Sequence, residues 1–413
     1  METLEQKSAH IVRPEIAELQ NRVLRFVEWL DRYGETSYDH QSFFAGKWGR
    51  GAKALYYRKP FLGTLAVAPM IFAEAFVPSA RRLFWKPQRF PIADAHYAMG
   101  FAFLADVLKE DRFYRRAVHF LQILEETRSP GYEHHAWGYP FDWETRGGTM
   151  HAHLPLITTA PYVYEAFSQL YQIDGDDKWR RTMRSIAEHG FQDYRDHVTS
   201  PDASSCSYSP EPNDPGGVVN ASAYRAFLLT RASIDFSQES YRTSALRNLN
   251  FVLESQNENG SWYYSIDGKR DFVDHFHTCF VLKALAKIEA LIEHPACTRA
   301  IERGVSYYVD NLFDDEWRPK PFSRRPRMTV YKHELYDYAE CINLAVLLEG
   351  RFPALDQILA SVTNLSAWQR RDGSFRARKL LVGWDNTPMH RWAQSQMFRS
   401  LCFLLFRHLI RET

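Results

Sequence analysis

The apolar positions of this chain repeat with a helical period, in two alternating styles. From residue 14 to 33, Ile16, Leu19, Val23, Phe26 and Leu30 fall on one face. Segments 111–127, 177–191, 237–255, 297–312 and 353–368 share this amphipathic pattern; in 111–127 the stripe is Phe113, Ala117, Phe120 and Leu124. Other runs are apolar nearly all round: "ITTAPYVYEAF", "NASAYRAFLL", "HTCFVLKALAKI", "YAECINLAVLL" and "SQMFRSLCFLLF". A helix without a polar face is covered on every side. The alternation predicts an inner ring of helices wrapped by an outer ring. Inner helices begin near residues 91, 157, 219, 274, 335 and 389. Outer helices begin near 111, 177, 237, 297 and 353, and the helix at 14 supplies the sixth. The expected fold is all-α, an (α/α)6 toroid formed by residues 1–413 as one domain.

Link lengths give this ring a working face. Inner-to-outer links are short: "LKEDR", "QIDGDD", "SIDFSQ" and "LEGRFPA". Outer-to-inner links are long, at 128–156, 196–218, 256–273, 313–334 and 369–388. All the long links emerge where the inner helices begin, and long loops on a rigid frame are where sites are built. Helix N-termini in the same mouth favour an anionic group.

The segment 40–93 does not fit the two-ring pattern. It holds nine Lys/Arg and one acid, Glu74, and its apolar stretch "FLGTLAVAPMIFAEAFVP" is interrupted by Pro69. Eighteen such residues are marginal for a bilayer span. They suit an accessory helix that touches a membrane peripherally through 47–89 or lies across the toroid as a lid. The overall charge of +1 excludes a nucleic-acid binder held by bulk charge. The N-terminus has no apolar leader, and the five cysteines are scattered, so a cytoplasmic protein is expected, possibly peripheral at the inner membrane.

Two long links carry a repeat: Gln256-x3-Gly260-Ser261-Trp262 and Gln369-x3-Gly373-Ser374-Phe375. It resembles the Q-x3-G-x-W repeat of squalene cyclases and prenyltransferases, which implies an α/α toroid. A longer resemblance runs in order through about 90–410. Its pieces are "RSPGYEHHAWGYPFDWETRGG", "LITTAPYVYEAF", "CSYSPEP", "SQNENGSWYYSIDGKRDFVDHFHTCFVLKAL" and "HRWAQSQMF". These are similar to a bacterial family called VpsJ-like or six-hairpin-glycosidase-like, found with exopolysaccharide and capsule genes. That resemblance implies a setting in surface-polysaccharide biosynthesis and carries over no catalytic residue. It also implies a His and a Gln ahead of the fifth inner helix, where this chain has Tyr336 and Glu340, with His333 offset.

Several links hold candidate chemistry. In "WGYPFDWETR", Trp137, Tyr139 and Trp143 suit sugar faces, Asp142 suits an acid, base or nucleophile, and Arg146 suits a carboxylate or phosphate. The competing reading is a plug packed on the helix tips. In "DFVDHFHTCF", Asp274 and His277 share a helix face and form an acid/base pair, or an N-cap and a core histidine. His275 and His277 lack a third ligand, so no metal or other cofactor is expected. Asn220, Trp262, Tyr336, Glu340, Trp384 and Arg391 complete the candidate substrate-binding set. A DxDD run at Asp174, Asp176 and Asp177 lies in a short link on the other face; Asp177 reads as a helix cap. The expected activity is that of a carbohydrate-active enzyme, a hydrolase, lyase or epimerase, acting on an oligo- or polysaccharide, perhaps lipid-linked. The alternatives are an isoprenoid cyclase or prenyltransferase, and a glycan-holding scaffold without turnover.

Overall fold

The structure, a computed structural model, describes residues 14–326 and 329–412. The polar N-terminal stretch read above for its lack of a leader lies, through residue 13, outside the described residues. In chain order the helices are α1 (Pro14–Tyr33), α2 (Ser42–Ala45), α3 (Lys47–Arg58), α4 (Pro60–Phe76), α5 (Pro91–Leu108), α6 (Asp111–Glu126), α7 (Ala160–Asp174) and α8 (Asp177–Gln192). There follow α9 (Val219–Phe236), α10 (Glu239–Glu254), α11 (His275–Glu289), α12 (Pro295–Asn311), α13 (Leu335–Leu347), α14 (Pro353–Val362) and α15 (Ser395–Glu412). A 3-10 turn at Pro78–Leu83 follows α4, and a π turn at His390–Gln394 leads into α15.

The fold is the expected (α/α)6 toroid. Helices α5, α7, α9, α11, α13 and α15 neighbour one another in that order, and α15 packs back on α5. Each is buried along most of its length. Helices α6, α8, α10, α12, α14 and α1 wrap them, each burying one stripe; on α6 it is Phe113, Ala117, Phe120, Leu121 and Leu124. Among the described residues, the mouth links contain nine short strands that the helical pattern does not announce. Some pair between different links. Strand β5 (Val273–Asp274), ahead of α11, joins β6 (Phe322–Arg324), ahead of α13. Strand β7 (Tyr331–Glu334) joins β8 (Arg378–Leu380) from the last link, and β8 joins β9 (Trp384–Asp385). This stitching fixes the long links on one face.

The Gln-x3-Gly repeat explains how outer helices are held. Gln256 Nε2 donates to the carbonyl of Gly260, closing its own turn, and to that of Ala300 on the next outer helix. Gln369 Nε2 does the same to Gly373 and to Arg22 on α1. Both glycines have positive φ, near +90° and +97°, and lie flat on the neighbouring helix. A Cβ on Gly373 would sit 2.2 Å from the Arg25 carbonyl oxygen. The second copy therefore closes the ring, with α1 as the sixth outer helix.

The accessory segment is more elaborate than one helix. It occupies the link from α1 to α5, the sixth link on the mouth face, and lies over the mouth as a lid. Ion pairs clamp it. Arg391 makes two 2.8 Å bonds to Asp39. Arg81 Nη2 donates to Asp385 at 2.8 Å, with both side chains fully buried. Glu334 accepts from Arg378 Nε at 2.9 Å and pairs with His40 Nε2 at 2.9 Å, while Arg378 Nη1 reaches Glu74 on α4 at 2.8 Å. Burial alone would raise the Glu334 carboxyl, but Arg378 and His40 outweigh it and bring it down to about 2.

Gly373→Ala, strained in φ and in contact with backbone, lowers stability by roughly 2–5 kcal/mol in denaturant melts, more than Gln369→Ala does. Glu334 has its folded pKa depressed, so it stabilises the fold above its unfolded value near 4.5 and loses that contribution as pH falls towards 2. Hydrogen exchange across residues 40–90 is expected to speed up over that acid window. Arg378→Met, which strands two buried carboxylates, costs about 3–5 kcal/mol at neutral pH.

Candidate active site

The mouth divides the sequence candidates into clamps, core residues and a small remaining site. Asp142 is a clamp: its Oδ2 takes a 2.5 Å bond from Arg50 on α3 and its Oδ1 accepts the Ala152 N–H. A carboxylate held by an arginine of the lid is not a free nucleophile or base. Arg391 is likewise spent on Asp39, with its guanidinium over the rings of Tyr139 and Trp392 at 4.3 and 4.6 Å. Trp137 is a core residue whose indole N–H donates to the Leu124 carbonyl, so its face is closed to a sugar. Tyr139 is half-buried against Phe141 and Trp143, and Arg146 is exposed at the tip of a hairpin formed by β1 (Trp143–Thr145) and β2 (Gly148–Met150). Trp384 packs edge-on to Trp368 beneath Arg376 and Lys379. The plug reading therefore describes "WGYPFDWETR" better than the sugar platform does.

Asp274 and His277 meet: the N-cap is present, and His277 is half-buried where the competing reading had a core histidine. Asp274 caps α11 by accepting the His277 N–H at 3.0 Å, and its Oδ2 meets His277 Nδ1 at 2.7 Å. With Nδ1 donating to the carboxylate, Nε2 carries the lone pair, the state of a general base. The ring stands edge-on to Tyr264 and Phe280, and Phe272 stacks on Tyr264 at 4.8 Å. Asn220, Trp262, Tyr264, Phe272, Asp274 and His277 line one small pocket. Asn220 is buried and its Oδ1 has no partner. Trp262 reaches the pocket while its N–H is bonded to the Val252 carbonyl. The space between them is about 10 Å³, room for roughly one water and too small as it stands for a sugar ring.

Tyr336 and Glu340 lie deeper, on the toroid axis. Tyr336 packs against Phe276, Phe280 and Trp392. Glu340 is fully buried beside Lys283, with Arg399 Nη2 at 3.8 Å. Burial pulls Lys283 down to about 8 against the pull of Glu340. Below them a cavity of about 400 Å³ is lined by Lys283, Lys287, Arg231, Arg399 and several phenylalanines. It lies toward the short links, at the C-terminal ends of the inner helices, where cations answer the helix dipoles. Its charged lining does not suit an isoprenoid chamber. The DxDD run is structural, with one change from expectation: Asp176, not Asp177, caps α8, and Asp174 accepts from Tyr114 and Trp179.

Two acids with opposite environments escaped the sequence reading. Asp337, in the first turn of α13, is buried with neither oxygen bonded; burial first, then Glu334 and Asp274, push its carboxyl well up. Asp94 is raised to about 7 by burial, against Arg89. Neither sits in a motif, and each owes its raised pKa first to burial.

Solved structures share this fold. A D-mannose isomerase superposes with a TM-score of 0.61 and 12% identity over 96% of this chain and 100% of that one. Cellobiose 2-epimerase from Bacillus thermoamylovorans B4167 gives 0.60 and 8% over 78% and 88%. A family 88 glycosyl hydrolase from Bacteroides vulgatus gives 0.56 and 10% over 96% and 99%. No family model and no curated protein matches the sequence. The likeness is one of fold, the six-hairpin toroid.

If Asp142 is a clamp, a double-mutant cycle of Arg50→Met and Asp142→Asn returns a coupling of about 0.5–1 kcal/mol in stability, as for other half-exposed pairs. Turnover of Asp142→Asn should stay within a few-fold of the parent.

Proposed function

We propose that this protein is a carbohydrate-active enzyme that moves protons with side chains, His277 acting as the acid/base and Asp274 fixing its tautomer. The observation that carries the reading is the 2.7 Å Asp274–His277 bond beside the unpartnered oxygen of buried Asn220. Tyr264 and Phe272 offer ring faces to the C–H side of a sugar, and Asn220 Oδ1 offers an acceptor to a hydroxyl. An imidazole base with a buried, unbonded carboxyl in the same mouth, Asp337, whose pKa burial pushes up, suits epimerisation or elimination better than hydrolysis. Hydrolysis calls for two carboxylates facing each other across the bond, and Asp142 is engaged by Arg50. The folds of an isomerase, an epimerase and a glycosyl hydrolase support a saccharide substrate. A scaffold without turnover has no use for a carboxyl buried without a bond among other acids at the mouth.

The finer setting is surface-polysaccharide biosynthesis in bacteria, on an oligo- or polysaccharide that is lipid-linked. Five buried, unpaired cysteines suit the cytoplasm.

Incubation with the host glycan in heavy water tests the chemistry. Deuterium on carbon without cleavage means epimerisation, and an unsaturated product means elimination; solvent oxygen in a cleaved product would overturn the preference for proton transfer. His277→Asn is expected to lower the rate by about 100-fold or more. Asp274→Asn is expected to lower it less, with about 1 kcal/mol of stability lost through the cap. Full activity in His277→Asn would place the reaction elsewhere.

A further inference from the structure

Helix α4 is apolar on every side, yet protein covers only one of them. Gly63, Met70 and Ala75 are buried, and Glu74 on the same side binds Arg378 at 2.8 Å. Gly63 lies against the backbone of Tyr56 on α3, closely enough that a Cβ would be 2.0 Å from it. The other side carries Phe61, Leu65, Phe72 and Phe76 at successive spacings of four, seven and four residues, and all are exposed. Phe61 is 79% exposed, Leu65 62% and Phe72 63%. The same lid adds Trp48 on α3 at 91% and Leu83 on the 3-10 turn at 87%. Single exposed apolar residues are ordinary, but a helix face of them is not.

Charge identifies what covers this face. Lys47, Arg58, Lys59, Arg82 and Lys86 are exposed within the same segment. Its one acid, Glu74, is turned inward onto Arg378. Large apolar side chains flanked by cations, with no exposed acid within the segment and the neighbouring Asp372 paired with Arg370, complement an anionic lipid surface. They do not complement a second copy of the face, because a two-fold contact would set five cations against five. No described helix is long and apolar enough to cross a membrane, so the contact lies in the interface plane.

We infer that α4 seats the protein on an anionic membrane surface, with its aromatic and leucine side chains among the upper acyl chains and the flanking lysines and arginines on the headgroups. Because Glu74 on the inner side of α4 is bonded to Arg378 on β8 of the mouth, the bound protein turns its long-link face toward the lipid. The inference rests on the surface alone and holds whichever reaction the mouth performs.

Flotation of the full chain with vesicles tests it. The protein should float with phosphatidylcholine vesicles containing about 30% phosphatidylglycerol, and at least about 10-fold less with pure phosphatidylcholine or in high salt. The exposed triple change Phe61→Ser, Leu65→Ser and Phe72→Ser should reduce binding by at least about 10-fold while leaving the melting temperature unchanged. The charge reversal Lys59→Glu with Arg82→Glu should do likewise. A parent protein that stays out of the vesicle fraction at low salt overturns the inference. So does a triple variant that floats as well as the parent, or a dimer that the triple variant breaks while no vesicle binding is seen.

Discussion

The whole annulus depends on one joint, the seat of α1 against the turn after α14. Gln369 bonds the Arg22 carbonyl, Gly373 lies flat on the Arg25 carbonyl, and Arg25 and Arg32 return bonds to the carbonyls of Arg370, Arg371 and Asp372. These partners are some 340–347 residues apart in sequence. The inner helices are apolar all round, so each needs an outer helix behind it. Without α1, α15 would show solvent the face that now packs on Phe26 and its neighbours. The same contact sends every long link to one end, because the direction of each helix is set by its place in the ring.

That end is closed by charge more than by apolar packing. The lid contributes Asp39, His40, Arg50, Glu74 and Arg81; the other mouth links answer with Arg391, Glu334, Asp142, Arg378 and Asp385. The buried pairs among these are stable only as complete sets, since removing one partner leaves another unscreened, whereas Arg50 and Asp142 are half-exposed. The cost of burying them is set against a unique seat for the lid: each pair has one geometry, whereas an apolar plug could slide. What stays uncommitted is the pocket at α9 and α11, where an imidazole, a carboxylate and an amide oxygen face aromatic rings.

The helices and their two styles were legible because periodicity is a local property. Link lengths are local too, which is why the working face could be read in advance. The misassignments all involve distant partners. Asp142 and Arg391 looked like free functional groups because the residues that bind them lie 92 and 352 positions away. Trp137 looked like a sugar platform because nothing nearby shows that its indole turns inward to Leu124. Asp274 and His277 were found because they sit three residues apart on a helix whose start was visible. Asp337 was missed because its state comes from burial and from Glu334 and Asp274. The Gln-Gly repeat was read as a family mark, and its work proves to be mechanical.

The closing joint also bears on how the protein is made. Helix α1 is translated some 340–347 residues ahead of the partners that seat it. At roughly 5–20 residues per second, its apolar stripe waits tens of seconds with nothing to cover it. Over that interval the molecule is an open crescent with sticky tips, and the circle closes only once α15 has been made. Chaperone capture of the nascent α1 would protect that interval, and a crescent that meets another before its own α15 arrives would form chains of subunits instead of a ring.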